Sequence, residues 1–391
     1  MAIKVLRILN RFNLGGPTYN AAYLTKYMSP EFETLLIGGQ ECKDEANSKF
    51  ILEKLDIESL VVPEMQRDIN IVVDFLAYQK IKKIIQNFKP DIVHTHASKA
   101  GVIGRKAAKA LKVPVIVHTF HGHVFDSYFS KHKSNFYCRM ERYLAKITDK
   151  IIVLSENQQH DIVGKYKICP IEKTEIIPLG FDLSKFQENI SEKRKVFREK
   201  YKIKENEVAI GIIGRLSPIK NHSLFIDAFM SVYFSSQVKV RAFIVGDGES
   251  KKDIQHKLVQ IGLPYSNGTE EPKTVIFTSW EKDIDYVNAG MDIIALSSLN
   301  EGTPVSLIEA QASNKPIVTT NVGGIRNIVM EGETALVADI NKPEEFTEKL
   351  KILVENTELR KKLSQKGWEF VNEKFHYNRL VNDMKKLYYS L

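Results

Sequence analysis

Ser297 to Ala312 reads SSLNEGTPVSLIEAQA, and it follows the apolar run Asp292-Ile293-Ile294-Ala295-Leu296. The apolar run has the character of a buried parallel strand. A loop with Gly302 and Pro304 comes next. The pattern then predicts a helix from Val305 or Ser306, with Leu307, Ile308 and Ala312 on its apolar side. Strand, tight turn and helix start make an open α/β fold the expectation. In such folds ligands bind at the carboxyl ends of the strands, and free N–H groups at helix starts attract phosphate. Two carboxylates bracket this helix start, Glu301 in the loop and Glu309 about one turn into the helix. A carboxylate that close to a bound phosphate is poorly placed to face it. It is better placed to accept hydrogen bonds from sugar hydroxyls.

Glu301 and Glu309 stand eight residues apart, with Gly302 after the first and Ala310 after the second. This resembles the E-x7-E motif of retaining glycosyltransferases of family 4. The resemblance implies the α/β GT-B fold: two doubly wound, Rossmann-like domains facing each other across a cleft. It also implies that Glu301 contacts the donor sugar and Glu309 the ribose of the nucleotide. Pro304 departs from the Gly of many members. Proline has no N–H, so the phosphate donors would be the N–H groups of Val305 and Ser306. Read alone, the stretch also fits an ordinary helix with two solvated glutamates.

At 391 residues the chain suits two domains. Its 43% hydrophobic and 27% charged residues are those of a soluble globular protein. No apolar run approaches the ~18–20 residues of a membrane span. The start MAIKVLRILN leads directly into a strand and has no signal-peptide pattern. Cys42, Cys138 and Cys169 are far apart and odd in number, which points to reduced thiols in a cytoplasm rather than a disulfide framework or a zinc site. The net charge is +8, and residues 1–183 carry +6 of it. Within Gly101–Lys150 ten basic residues face three acidic ones. Such a patch fits nucleic acid, an anionic membrane face or a phosphorylated substrate. No zinc-finger, RRM-like or helix-turn-helix pattern favours nucleic acid.

In the first half, a strand at Lys4–Leu9, a loop with Gly15-Gly16 and a helix over Thr18–Tyr27 form the phosphate-binding start of many α/β domains. In family 4 the equivalent loop lines the cleft, which makes Gly16 a candidate donor-binding residue; a turn needing positive φ is the plainer reading. Further strands at Phe32–Ile37, Ser59–Val62, Asp91–Thr95, Val113–Thr119, Lys150–Leu154 and Lys173–Ile177 alternate with helices, as in a parallel sheet. His94, His96, His118, His121 and His123 crowd two strand ends and are expected in the cleft. No acid or Cys joins them at metal-ligand spacing. Thr119-Phe120-His121-Gly122 resembles the family's Thr-x-His segment, whose His reaches the donor sugar beside the reacting carbon, and that role falls on His121. His123 is a second cleft residue or a packed one. Asp126–Lys146 interleaves five aromatic with five basic residues. It reads either as a membrane-interface helix or as a helix with a core face and a solvated basic face.

Pro178-Leu179-Gly180-Phe181-Asp182 resembles the family's Pro-x-Gly-x-Asp segment at the domain crossover. The second half restarts with a strand at Val208–Ile213, a loop over residues 214–221 and a helix from His222. The loop resembles the family's Gly-Arg-(x)n-Lys segment. When the donor bond breaks the leaving nucleoside diphosphate gains charge, and Arg215 and Lys220 would neutralise it. Thr278, at the end of strand Val275–Thr278, lies near the nucleobase in the family. Leu263–Lys273 reads as a polar loop, Asp283-Ile284-Asp285 as helix punctuation rather than a metal motif, and Asn321–Gly324 as a structural loop. Helices are expected over Pro343–Asn356, Glu358–Phe375 and Asn378–Tyr389.

Together these readings give an acceptor domain over residues 1–183, a nucleotide-sugar domain over 184–372 and a last helix, 373–391, packed back on the first. The expected activity is retaining hexosyl transfer from a nucleotide-diphosphate sugar, a UDP-sugar foremost. The expected acceptor is a saccharide or a lipid-linked saccharide in bacterial surface-polysaccharide synthesis. Catalytic roles fall on Glu301, His121, Arg215 and Lys220. Donor binding falls on Gly16, Arg215, Lys220, Thr278, Val305, Ser306 and Glu309. No cofactor, metal or nucleic acid is called for, and the place of work is cytoplasmic, on or near an anionic membrane face. A GT-B UDP-sugar 2-epimerase and a non-catalytic nucleotide-binding protein are the competing readings.

Overall fold

The structure is a computed structural model and describes residues 2–13, 15–40, 48–66, 68–122, 131–269 and 271–391. The chain divides into two units, Met1–Phe181 with Phe375–Leu391, and Asp182–Lys374. Each holds one seven-stranded sheet in which every strand pair is parallel.

In the first unit the strands are β1 (Ile3–Arg11), β2 (Phe32–Gly39), β3 (Ser59–Val61), β4 (Ile92–His96), β5 (Val115–Thr119), β6 (Lys150–Val153) and β7 (Thr174–Ile176). Their order in the sheet is β3-β2-β1-β4-β5-β6-β7. Side chains alternate across a strand, so one strand feeds two cores. Leu6 and Ile8 pack with Val93, Ile116 and the inner faces of helices Ile71–Phe88 and Ser98–Ala110. Val5 packs on the other side with Leu24, Met28, Ile92, Val117 and Ile152. The final helix, Tyr377–Tyr389, closes this second core with Leu380, Val381, Met384, Leu387 and Tyr388. Each fully buried side chain of this kind contributes about 1.5–3 kcal/mol relative to exposure. Tyr377 also stacks on Tyr27 and Tyr23, with ring centroids 4.3 and 5.4 Å away. Gly180 lets the helix approach: a Cβ there would lie 2.6 Å from Leu380 Cβ.

In the second unit the strands are β8 (Glu207–Ile213), β9 (Lys239–Val245), β10 (Tyr265–Asn267), β11 (Val275–Ser279), β12 (Ile293–Leu296), β13 (Ile317–Thr320) and β14 (Ala335–Ala338), in the order β10-β11-β9-β8-β12-β13-β14. Ile210, Ile212, Ala242, Ile244, Ile293 and Ala295 pack against Phe225, Phe229, Phe346, Leu350 and Leu353 from the covering helices. Two strands depart from the sequence pattern. β10 lies inside what reads as a polar loop, because edge pairing with β11 needs only main chain. β14 is a four-residue edge strand whose main chain pairs with β13. The helix expected over Glu358–Phe375 is two, Thr357–Leu363 and Gly367–Phe375. A side chain at Gly367 would meet the Gln311 carbonyl oxygen at 2.6 Å, so the chain is bent where it passes the helix Val305–Ala312.

Candidate functional site

The second sheet reverses its winding at β8, which pairs with β9 on one side and β12 on the other. The carboxyl ends of β8 and β12 thus flank the crevice where open α/β sheets take ligands. Two loops leave there, residues 214–221 and residues 297–304, and they are tied together. The Ser297 hydroxyl donates to the Lys220 and Asn221 carbonyls at 3.1 and 2.9 Å, and the Leu299 N–H donates to the Ile219 carbonyl at 2.8 Å. This fastening sets Lys220 Nζ 2.5 Å from Glu301 Oε1, and the Ser298 hydroxyl donates to the same oxygen at 2.6 Å. The pair is largely shielded, with the side chains 21% and 10% exposed. Among the described residues no donor is bonded to Glu301 Oε2. A third loop supports the first two. The Gly324 N–H donates to the Glu301 carbonyl at 3.0 Å, and Gly323 has φ +51° with its missing Cβ only 1.8 Å from that same carbonyl oxygen. The loop Asn321–Gly324 is therefore a main-chain brace for Glu301.

Val305 and Ser306 open the helix Val305–Ala312, with Pro304 at its N-cap and no side-chain cap. The first N–H groups of a helix have no intrahelical acceptor, so these two are donors available to an anion. Glu309 lies one turn on. Burial pushes its carboxyl up to about 7, against the pull of Lys185 and with the help of Asp285. Among the described residues Glu309 has no side-chain hydrogen bond. Glu309 is half-buried, and a carboxylate is a strong acceptor for ligand hydroxyls.

Asp283 and Asp285 open the helix Ile284–Gly290, as the sequence reading expects, and Asp285 also makes ion pairs. It is buried, 2.9 Å from Lys193 Nζ and 3.6 Å from Lys185 Nζ, and Asp283 gives the helix Ile284–Gly290 no side-chain cap. Asp285 is thus one end of an ion-pair network that ties helix Ile190–Lys200 to helix Ile284–Gly290. Among the described residues no cluster of three His, Cys, Asp or Glu could hold a metal.

Arg215 does not join Lys220 and Glu301. Its guanidinium pairs with Glu249 at 3.1 Å, and both side chains are well exposed, at 40% and 52%. Thr278 sits at the end of β11, where its hydroxyl donates to the Ser279 carbonyl at 3.1 Å. The Ser279 hydroxyl donates to Asp247, which also holds Lys251 at 2.8 Å. Two contributors had no sequence signal: Ser297, whose role depends on a loop more than seventy residues away, and Ser298, whose hydroxyl meets Glu301 only through the local turn. A third, His222, is buried beside Lys220 with neither ring nitrogen bonded among the described residues, and burial pushes it down to about 4.

In the first unit, β1 is the reversal point between β2 and β4. Gly16 is the first residue of the helix Gly16–Tyr27 rather than part of a tight turn, and neither it nor Gly15 is left-handed. The plain reading of a glycine forced by positive φ therefore fails. The histidines also differ from expectation. His94, His96 and His118 are fully buried, because they lie within or beside strands paired on both sides. His94 Nδ1 faces Arg7 at 3.0 Å and Tyr388 at 2.6 Å, and its Nε2 faces the Thr119 hydroxyl at 2.7 Å. His118 Nδ1 faces the Thr95 hydroxyl at 2.8 Å. His121, two residues beyond β5, is the one that reaches past the sheet, and its Nε2 lies 2.9 Å from His96 Nδ1. Burial pushes His121 down to about 3. His123 lies outside the described residues.

Of the stretch Asp126–Lys146, residues 126–130 lie outside the described residues, and a helix runs over Lys131–Lys146. Cys138, Leu144 and Ala145 face the core, while Phe136, Arg139 and Tyr143 are exposed on one side. Arg142 is not a free surface charge: its guanidinium donates to the Tyr166 and Lys167 carbonyls at 2.6 and 3.0 Å. A second exposed patch was not expected. At the start of helix Ile71–Phe88, Ile69, Ile71, Val72, Phe75 and Leu76 are 51–85% exposed. No helix among the described residues is long and apolar enough to cross a membrane.

Comparison with known proteins agrees with this architecture. Residues 26–185 match the family described as Glycosyltransferase Family 4, and residues 193–370 match Glycosyl transferases group 1. The chain is 28% identical over 339 residues to a UDP-Gal:alpha-D-GlcNAc-diphosphoundecaprenol alpha-1,3-galactosyltransferase of Escherichia coli, covering 86% of this chain and 84% of that one. It is 26% identical to the capsular polysaccharide biosynthesis glycosyltransferase CapM of Staphylococcus aureus, covering 86% of each. The crystal structure of Anabaena Alr3699/HepE in complex with UDP superposes with a TM-score of 0.82 at 20% identity, covering 100% of both chains. Two parallel α/β units, each matched by its own glycosyltransferase family model, make this chain a glycosyltransferase enzyme of family 4 with the GT-B fold.

Proposed function

We propose that the enzyme transfers a hexose from a UDP-sugar, with retention at the anomeric carbon, to a lipid-linked saccharide in bacterial surface-polysaccharide synthesis. The observation that carries this reading is the set at the β8/β12 reversal: Lys220 held on Glu301, the open helix start at Val305 and Ser306, and the half-buried Glu309 one turn on. In this reading the diphosphate sits at the helix start. Lys220 turns from Glu301 toward the developing charge as the donor bond breaks, and Arg215 joins it from the Glu249 pair. Glu301 takes a hydroxyl of the donor sugar on Oε2, and Glu309 takes the ribose hydroxyls. Thr278 and Gly16 line the donor's base and phosphates, and His121 faces the sugar. Attack and departure occur on one face of the sugar. The charges present do the work a divalent metal would do, so no metal is required.

UDP as the nucleotide is supported by the name of the Escherichia coli relative and by the UDP-bound Anabaena structure. The lipid-linked acceptor is supported by the same relative and by two exposed features of the first unit. One is the apolar start of helix Ile71–Phe88, followed a turn later by Lys80, Lys82 and Lys83. The other is the Phe136, Arg139, Tyr143 face. An apolar tip backed by lysines fits the cytoplasmic face of an anionic bilayer.

The test is to incubate the enzyme with a panel of UDP-hexoses, with and without a polyprenyl-diphosphate sugar in detergent. Release of UDP that depends on the acceptor, with a lengthened lipid-linked product, is the expected result. An epimerised sugar with no acceptor dependence, or tight UDP binding with no turnover, would overturn it.

A further inference from the structure

The start of the second unit is fastened along the helix that carries Glu309. The Gln187 side-chain amide donates to the Ala312 carbonyl at 2.5 Å, at the end of helix Val305–Ala312. Glu309 lies about one turn back along that helix. Lys185 lies two residues back along the fastened stretch, in the single turn Ser184–Phe186. The Lys185 carbonyl is held in turn by Lys193 Nζ at 2.5 Å. The main chain of Lys185 is thus tied on either side, while its side chain stays 36% exposed.

The charges beside Glu309 do not balance without it. Asp285 reaches Lys193 Nζ at 2.9 Å, and both side chains are nearly enclosed, at 9% and 10% exposed. Lys185 Nζ stands 3.6 Å from the other Asp285 oxygen, beyond ordinary hydrogen-bond length. Two ammonium groups therefore meet one carboxylate, and Lys185 is the looser of them. Glu309 is half-buried and has no side-chain hydrogen bond among the described residues. Of the charges that act on it, Lys185 favours its ionised form and Asp285 opposes it. Lys193 stands behind Asp285, and Lys220 is engaged by Glu301. Charges withdrawn from water are found paired, and the surplus cation and the free carboxyl complete one another.

We propose that Lys185 is a positioning residue for nucleotide binding: it supplies the counter-charge that keeps Glu309 a carboxylate while Glu309 accepts the ribose hydroxyls. This rests on the reading of Glu309 as the ribose acceptor. Lys185 itself touches no part of the nucleotide. Hydroxyl groups donate to an ionised carboxylate more strongly than to a neutral acid. With Lys185 present, burial takes the Glu309 carboxyl up to about 7. Without that charge, burial and Asp285 act unopposed and the carboxyl moves further up. The nucleotide then has to displace a proton in order to bind. Binding weakens at pH values below the new carboxyl value and holds above it.

The experiment is calorimetric titration of the full-length enzyme with UDP at about pH 6 and about pH 9, below and well above the Glu309 value. Lys185→Met should weaken UDP about tenfold at the lower pH, as a rise of about one unit in the carboxyl requires, and leave it nearly unchanged at the higher. Lys185→Arg, which keeps the charge, should match wild type at both. Added to Glu309→Gln, Lys185→Met should change nothing, because the carboxyl on which it acts is gone. Asp285 keeps Lys193 in all these variants. A loss that persists at the higher pH would put Lys185 on the nucleotide itself and overturn the proposal. A loss that persists alongside Glu309→Gln, or no loss at the lower pH, would leave Lys185 a structural tie to Asp285 and overturn it too. Wild-type UDP affinity in Glu309→Gln would instead overturn the ribose reading on which the proposal rests.

Discussion

At the residue scale, the site turns on two carboxylates that differ in their surroundings. Glu301 is already satisfied on one oxygen by Lys220 and Ser298, whereas Glu309 has no side-chain hydrogen bond among the described residues and is pushed by burial up to about 7. Hydroxyl donors bind the carboxylate form better than the neutral acid, so binding of UDP should lower the Glu309 value and release a proton. Affinity should therefore rise with pH across about 7 and level off above it. UDP itself titrates, so the informative quantity is the difference from Glu309→Gln, whose profile should lack this component. The same variant should weaken UDP by about tenfold to a hundredfold, as loss of hydrogen bonds to a charged acceptor does. Calorimetric titration over pH 5.5–8.5, roughly one and a half units either side of that value, measures both effects. Equal affinities in the two proteins would remove Glu309 from the ribose. Glu301→Ala should behave differently. It frees Lys220 for the diphosphate, so UDP affinity should hold or improve while turnover falls at least about a hundredfold. A large loss of UDP binding in that variant would place Glu301 on the nucleotide instead. The pair Glu301 and Glu309 was legible in the sequence because motif spacing survives without a structure. The Lys220–Glu301 contact was not, because the two residues are distant in the chain and meet only through Ser297 and Leu299.

At the element scale, regular strand and helix patterns were read well, since buried parallel strands are continuous apolar runs. The helix expected from Val305 or Ser306 begins at Val305. Edge strands β10 and β14 escaped because main-chain pairing carries them rather than side-chain pattern. The histidines misled for a related reason: sequence shows that they end strands, not which side of the sheet's edge they fall on. The exposed start of helix Ile71–Phe88 is also a property of packing, since its apolar residues look like core until the structure leaves them uncovered. If that tip enters a bilayer, replacing Ile71, Val72 and Phe75 with Ser should reduce co-sedimentation with anionic vesicles at least about tenfold, as each buried apolar side chain contributes about 1.5–3 kcal/mol. UDP affinity should be unchanged. Replacing Arg139 should act through salt-sensitive attraction and matter less at high ionic strength. Wild-type protein that stays in solution with anionic vesicles at low salt would leave the patch without a membrane role.

At the scale of the whole molecule, the chain distributes its chemistry between two units that are each a complete α/β sheet with its own reversal point. The second unit carries the uncapped helix start at Val305 and the two carboxylates, and the first carries His121 and the exposed apolar and basic surface. This division was legible from alternating strand and helix patterns, from the charge excess of the first half and from the segments around Lys220, Glu301 and Glu309. The saccharide acceptor left no comparable mark, because loops that select acceptors have no fixed spacing. A chain that neutralises diphosphate with side-chain cations and helix N–H groups should keep its turnover in the presence of EDTA. Asp285 agrees with this, since Lys193 and Lys185 already occupy it. Loss of turnover that is restored by a divalent cation would contradict the metal-free account. The central claim, transfer with retention by the family-4 site, is tested most directly by the anomeric configuration of the first-formed product, read by proton NMR after brief incubation with an α-linked UDP-hexose and the lipid-linked acceptor. The account predicts an α-linked product from wild type and none from Glu301→Ala. A β-linked product, or a free epimerised sugar with no new linkage, would contradict it.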